Sequence, residues 1–204
     1  MNELFNTEDE IKESIAEVIS QNIKNKALIC DVGFDNVYLI KKLNSKNKQF
    51  FYHGIDIFDE VVDIAQKYIK EQNLNNCLID KIPFGQFDKK DFNVCICVRL
   101  FHHFSKEDTV FFLKKMIETI NYNGEIYLSD SIRDFNGRSN RYSYTPYFYL
   151  NEISKIIGCN NLKLEYSEDA MLNVGEIWIM KLTISNNNCV CKLLKTNNDI
   201  NIVD

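Results

Sequence analysis

The stretch that most limits what this chain can fold into is Ala27-Leu28-Ile29-Cys30-Asp31-Val32-Gly33. An apolar run of strand length ends in Asp-Val-Gly, and Val37-Tyr38-Leu39-Ile40-Lys41-Lys42-Leu43 then takes up helical spacing. A buried strand, a tight turn and a helix is the economical reading. A strand without a polar face belongs inside a parallel sheet that is covered on both sides. In such open sheets, ligands bind in the crevice beyond the carboxyl ends of the strands.

The rest of the chain supplies companions for that strand. Thr7-Glu8-Asp9-Glu10 has the form of a capping box. Ile11, Ile15, Val18, Ile19 and Ile23 follow at helical spacing, which predicts an amphipathic helix from Glu8 to Ile23 that covers the sheet or the crevice. A helix over Asn36 to Leu43, a strand from Phe50 to Ile57 and a helix from Asp59 to Glu71 come next. Cys77 to Ile79 reads as a short strand, and Asp80 to Asp91 as a polar connection. Phe92 to Val98 is a second continuous apolar run. Ser105 caps a helix that runs to Ile120, with Asp108 three positions on. Asn123-Gly124 turns into a strand from Glu125 to Ser129 that ends at Asp130. Thr145-Pro146 starts a helix that ends near Gly158. Leu162 to Tyr166 and Glu176 to Ile184 read as a last, antiparallel strand pair. The alternation of strands and helices predicts an α/β fold: Rossmann-like, doubly wound, with a mostly parallel seven-stranded sheet and an antiparallel last strand. One domain is expected over residues 1–185, with its N-terminal helix within residues 1–25. The Asn-rich residues 186–204 are expected to be a polar, flexible tail.

Composition narrows the function. The formal charge of −5 over 204 residues speaks against a general nucleic-acid binder, which shows a basic face. No apolar run reaches membrane-spanning length, and Met1-Asn2-Glu3-Leu4-Phe5 lacks the basic start and apolar centre of a secretory signal. Cys30, Cys95 and Cys97 lie inside apolar strands, where a thiol acts as a small hydrophobe, so neither a disulfide framework nor a metal site is expected. A reducing, cytoplasmic compartment suits such thiols.

Four segments, in order and at their spacing, resemble the class I S-adenosylmethionine-dependent methyltransferases, and within them the small-molecule type. They are Asp31-Val32-Gly33; Gly54-Ile55-Asp56-Ile57; Ile82-Pro83-Phe84 with the strand that leads to Leu100-Phe101-His102-His103-Phe104; and Asn121-Tyr122-Asn123-Gly124 before the fifth strand. The resemblance covers Ala27 to Leu182. It implies S-adenosylmethionine as cofactor, held by Asp31, Gly33, Asp35, Asp56, Ile57, Asp80 and Arg99. Asp56 would accept hydrogen bonds from the ribose diol, Asp80 would meet the adenine amino group, and Ile57 and Phe58 would pack on the adenine ring. His102 and His103 are the candidate bases, since imidazole titrates near neutral pH. Packing and loop shaping is the alternative role for the pair, while His53 is read as structural.

The turn departs from the family pattern. Asp35 stands at the register of the second glycine and Val37 at that of the third. Asp35 puts a carboxylate where the family holds the cofactor's own carboxylate. Two like charges about 4 Å apart repel by on the order of 4 kcal/mol at an effective dielectric of about 20. The sequence therefore leaves two functions open: a methyltransferase acting on a small-molecule acceptor, or a methyltransferase-like domain without activity that serves as a binding or partner subunit. Arg138, Arg141 and Tyr144, in the segment after the fifth strand, suit an anionic or aromatic small substrate. A solvated loop with tyrosines packed beneath it is the alternative.

Overall fold

The computed structural model describes residues 8–131, 142, 144–158, 162–165, 177–185 and 188–194. In chain order the elements are α1 (Glu8–Asn22), β1 (Ala27–Val32), α2 (Tyr38–Ser45), β2 (Phe50–Asp56), α3 (Asp59–Glu71), β3 (Cys77–Lys81), β4 (Phe92–Val98), α4 (Lys106–Thr119), β5 (Ile120–Ser131), α5 (Pro146–Ile157), β6 (Leu162–Glu165), β7 (Ile177–Ser185) and β8 (Asn188–Leu194). The strands form one sheet in the order β3-β2-β1-β4-β5-β7-β8-β6. β1 pairs parallel with β2 and β4, β2 with β3, and β4 with β5. β7 lies antiparallel to β5 and β8.

The class is the expected one, a doubly wound and mostly parallel α/β sheet. Two details differ at its far edge. Asn188–Leu194 is not a loose tail but an added strand, in which Leu182 faces Cys191 and Ile184 faces Cys189 across the β7–β8 ladder. The apolar residues Val190, Leu193 and Leu194 between polar neighbours allow this, and composition alone hid it. β6 pairs with β8, in parallel, rather than with β7, so the last two expected strands are not partners.

Each face of the sheet carries its own core. Ile15, Ile19 and Ile23 of α1, Leu39, Ile40 and Leu43 of α2, and Val62 and Ala65 of α3 cover the face formed by Ile29, Tyr52 and Ile96. Leu113 and Met116 of α4 and Tyr149, Leu150 and Ile153 of α5 cover the other face, against Cys30, Cys95, Cys97, Ile126 and Leu128. Two expected caps are in place, while Thr7 of the expected capping box lies outside the described residues. The Ser105 hydroxyl accepts from the Asp108 amide at 3.2 Å, and Gly158 ends α5 in the left-handed region at φ 68°. No helix among the described residues is long and apolar enough to cross a membrane.

Gly54 in β2 shows how closely this core is packed. A Cβ there would stand 2.8 Å from Ile79 Cδ1 and 2.9 Å from both Phe34 Cδ1 and Tyr52 Cε1. Gly54→Ala is expected to destabilise the domain by about 1–3 kcal/mol, as overpacked cores do. A urea melt gives this directly.

Candidate functional site

The strand order turns outward in both directions between β1 and β4, which makes the carboxyl end of this pair the switch point where such sheets bind ligands. A cavity of about 400 Å³ opens there, within the size range of small-molecule sites. Its walls come from the ends of β1, β2 and β4: Gly33 to Asn36, Ile55 to Phe58, and Val98 to Leu100 with His102 and His103. Ile82, Pro83, Phe84, Phe104 and Phe112 add an apolar side, and Lys12 reaches in from α1.

The turn after β1 is built around two left-handed residues, Gly33 at φ 64° and Asp35 at φ 54°. Aspartate tolerates that region better than most side chains, so the turn keeps its shape without the second glycine. Gly33 donates its amide to the Ile55 carbonyl at 2.8 Å. Leu100 lies over it, with Cδ2 only 2.8 Å from where a Cβ would be.

Asp56, at the end of β2, organises the floor. One carboxylate oxygen accepts the amides of Ile57 at 2.7 Å and Phe58 at 3.1 Å. The other accepts the Asp35 amide at 3.3 Å. A carboxylate offers about four acceptor directions, so this residue ties two turns together and keeps capacity for a ligand hydroxyl. Ile57 and Phe58 follow it with 53% and 63% of their surface exposed. They form an apolar shelf that the fold itself does not cover.

Asp35 does not stand as a lone charge. Lys12 Nζ lies 2.5 Å from its Oδ2, bringing a cation from α1 onto the turn. Sequence reading missed Lys12, because its local signal is only one polar position beside the apolar stripe of α1. Lys12→Ala should expose the Asp35 charge and weaken S-adenosylhomocysteine binding three- to tenfold. Adding Asp35→Gly should restore the affinity. A double-mutant cycle by calorimetry reads this coupling.

Two expected site residues are placed elsewhere. The Asp31 carboxyl is buried and accepts the Tyr52 hydroxyl at 2.8 Å. Burial raises its pKa from 3.8 to about 7, against the lowering effect of that hydrogen bond. Asp80 bonds the His53 ring at 2.7 Å and lies 3.5 Å from Lys89 Nζ, off the cavity wall. Asp80 pairs with Ile55 in the ladder and shares the face of His53, which takes up its carboxylate. His53 itself packs edge-on to Phe87 and Phe92, which makes it structural.

The segment after β4 is held firmly. The Arg99 amide donates to the Ser129 carbonyl at 2.6 Å, with Arg99 at φ 52°. Phe101 is buried and packs on Tyr149 with centroids 5.5 Å apart. His102 and His103 lie side by side, their centroids 4.0 Å apart. Burial lowers the pKa of His103, and the neighbouring His102 lowers it further. The His102 Nδ1 atom lies 2.8 Å from Asp130 Oδ1. In the sequence, Asp130 reads only as a strand end. Tyr144 donates to the Phe104 carbonyl at 3.3 Å and stacks on Phe148, away from the cavity wall. Arg138 and Arg141 lie outside the described residues.

Residues 29–124 match the family described as a methyltransferase domain. No curated protein matches the chain significantly in sequence. Solved structures share the fold at low identity. A presumed O-methyltransferase from Nostoc punctiforme is 13% identical with a TM-score of 0.65, over 89% of this chain and 62% of its own. Magnesium protoporphyrin IX methyltransferase from Synechocystis, with bound S-adenosylhomocysteine, is 16% identical at 0.59, over 87% and 82%. Coclaurine N-methyltransferase, bound to N-methylheliamine and S-adenosylhomocysteine, is 16% identical at 0.56, over 64% and 39%. The chain thus spans about two fifths of that N-methyltransferase and under two thirds of the Nostoc protein. The matched segment contains the β1 turn, Asp56 and the strand-four histidines, all on one switch-point cavity. Residues 29–124 thus match a methyltransferase-domain family and lie in the fold shared with these methyltransferases, two of which hold S-adenosylhomocysteine.

Proposed function

We propose that this chain transfers a methyl group from S-adenosylmethionine to a small-molecule acceptor. The observation that carries the reading is the pairing of Asp56 with the exposed Ile57–Phe58 shelf in one cavity. A diol acceptor beside an uncovered apolar step fits a ribose joined to a purine. The residues present fit the cofactor in charge as well, because Lys12 offsets Asp35 where a second carboxylate has to sit. That pair supports the active reading over an inactive domain. When bound, S-adenosylmethionine supplies an electrophilic methyl group on a sulfonium.

This chain's own part is binding and placement. Gly33 and Asp35 would present turn amides to the polar end of the ligand, with Lys12 and Arg99 as nearby cations. Asp56 would hold the ribose, and Ile57 and Phe58 the base. Phe84, Phe104 and Phe112 line the side and exclude water. Holding two reactants in line accounts for much of a transfer rate without other chemistry. His102 and His103 are the candidates to take the acceptor's proton. The buried free thiols Cys30, Cys95 and Cys97 suit a reducing, cytoplasmic setting. An acceptor of small size suits an enclosed pocket of this volume, and the neighbours that carry an alkaloid or are named for a porphyrin lend support.

The test is incubation of the chain with methyl-labelled S-adenosylmethionine and a fractionated cell extract. Label in the small-molecule fraction is the expected result. Label confined to protein or nucleic acid would overturn the acceptor class.

A further inference from the structure

The buried carboxylate behind the strand-four histidines does not line the cavity, and its geometry is specific. Asp130 ends β5 with its side chain almost wholly enclosed, 2% exposed, while His102 is 12% exposed and lines the cavity. Oδ1 of Asp130 meets His102 Nδ1 at 2.8 Å. Oδ2 accepts the hydroxyl of Tyr149 at 3.2 Å. Tyr149 is itself fully buried on α5, between Phe101 and Trp178. Three elements therefore meet on one ring: the turn after β4, the end of β5 and the first turns of α5.

We infer that Asp130 and Tyr149 are positioning residues that fix His102 as its Nδ1–H tautomer, so that Nε2 is the proton acceptor of the site. An ionised carboxylate only accepts, so the ring nitrogen facing it must donate. The remaining ring nitrogen then carries a lone pair. Tyr149 holds the second oxygen and stops the carboxylate from rotating. His103 has no such carboxylate hydrogen bond among the contacts described and takes no part in the tautomer choice. The inference rests on the methyl-transfer reading and sharpens it toward an acceptor that carries a proton, a hydroxyl rather than a carboxylate. The acceptor oxygen bonds to the methyl carbon, and the carbon–sulfur electron pair leaves with sulfur. The O–H proton passes to Nε2, its bonding pair stays on oxygen, and the imidazolium so formed is countered by Asp130 before the proton goes to water.

The experiment is two-bond imidazole proton–nitrogen NMR on the full ¹⁵N-labelled chain at neutral pH, alone and with S-adenosylhomocysteine. The wild type should show His102 with Nδ1 protonated and Nε2 bare. Asp130→Ala removes the acceptor and should turn this into a mixture of tautomers. Tyr149→Phe should keep the tautomer but speed exchange of the Nδ1 proton with water about tenfold. A wild-type His102 protonated at Nε2 overturns the inference. So does an unchanged pure Nδ1–H tautomer in folded Asp130→Ala. If Asp130→Ala does not fold, an unchanged exchange rate in Tyr149→Phe overturns it instead. Absence of S-adenosylhomocysteine binding would count against the methyl-transfer reading, while the tautomer in the unliganded chain still decides this one.

Discussion

Raising the pH from about 4 to about 7 is expected to destabilise this domain through one residue, Asp31. Its carboxyl is buried, and burial pushes its pKa up to about 7 from 3.8. Between those values the folded chain keeps a proton that the unfolded chain has released. Stability rises with pH where the unfolded state binds more protons; here the folded state binds more, so stability falls across this window and levels off above about pH 7. At about 1.4 kcal/mol per pKa unit the loss is on the order of 4 kcal/mol, or roughly 10 °C in Tm for a domain of this size. Asp31→Asn lacks the titration. The difference in Tm between the two chains should therefore change steadily from about pH 4 to about pH 7 in favour of the variant. A difference that stays flat with pH would mean that Asp31 is ionised in the fold at its ordinary pKa. The structural cause is plain. The Tyr52 hydroxyl at 2.8 Å is the one side-chain hydrogen bond recorded for this carboxyl, and the nearby Asp56 charge works against ionisation.

Asp56→Ala is expected to have the largest effect on ligand binding, lowering S-adenosylhomocysteine affinity at least about 100-fold. A hydrogen bond to a charged group contributes about 1.5–3 kcal/mol, and the carboxylate keeps one acceptor direction for a ribose hydroxyl. The same substitution frees the amides of Asp35, Ile57 and Phe58, so the floor of the cavity loosens as well. Asp56→Asn keeps one carbonyl acceptor and should lose only about tenfold. Calorimetry on variants first shown to melt cooperatively separates the two. Affinity within threefold of wild type in Asp56→Ala would remove this residue from the site.

Much of this was legible in the chain itself, for identifiable reasons. Ala27–Val32 and Phe92–Val98 have no polar face, which forces both into the middle of a parallel sheet. Their order, with Asp56 between them, places the switch point. Ser105 and Gly158 carry cap signals that depend only on local chemistry, and both ends of those helices fall where expected. What depended on side-chain direction was less accessible. Asp31 and Asp80 sit at strand ends, where side-chain direction depends on register, and the sheet assigns them Tyr52 and His53 as partners. Lys12 joins the site only because α1 packs along α2 and carries it to the β1 turn, a contact between distant segments with no local signature. Asp130 was visible as a residue but not as the partner of His102, for the same reason. β8 was obscured because its apolar residues are scattered among Asn and Lys, and its pairing depends on β7 offering a free edge.

The β1 turn departs furthest from the family pattern, and two features offset the departure. Asp35 takes up the left-handed backbone that a glycine would otherwise supply, and Lys12 meets its charge. On the proposed reading, this is a ligand turn whose extra charge is met by Lys12.

The most direct test of that claim is titration of the wild-type chain with S-adenosylhomocysteine in a calorimeter, with a thermal melt alongside. Saturable one-to-one binding with a matching rise in Tm is the predicted result. No heat and no shift in Tm at millimolar ligand, from a chain that melts cooperatively, would contradict it.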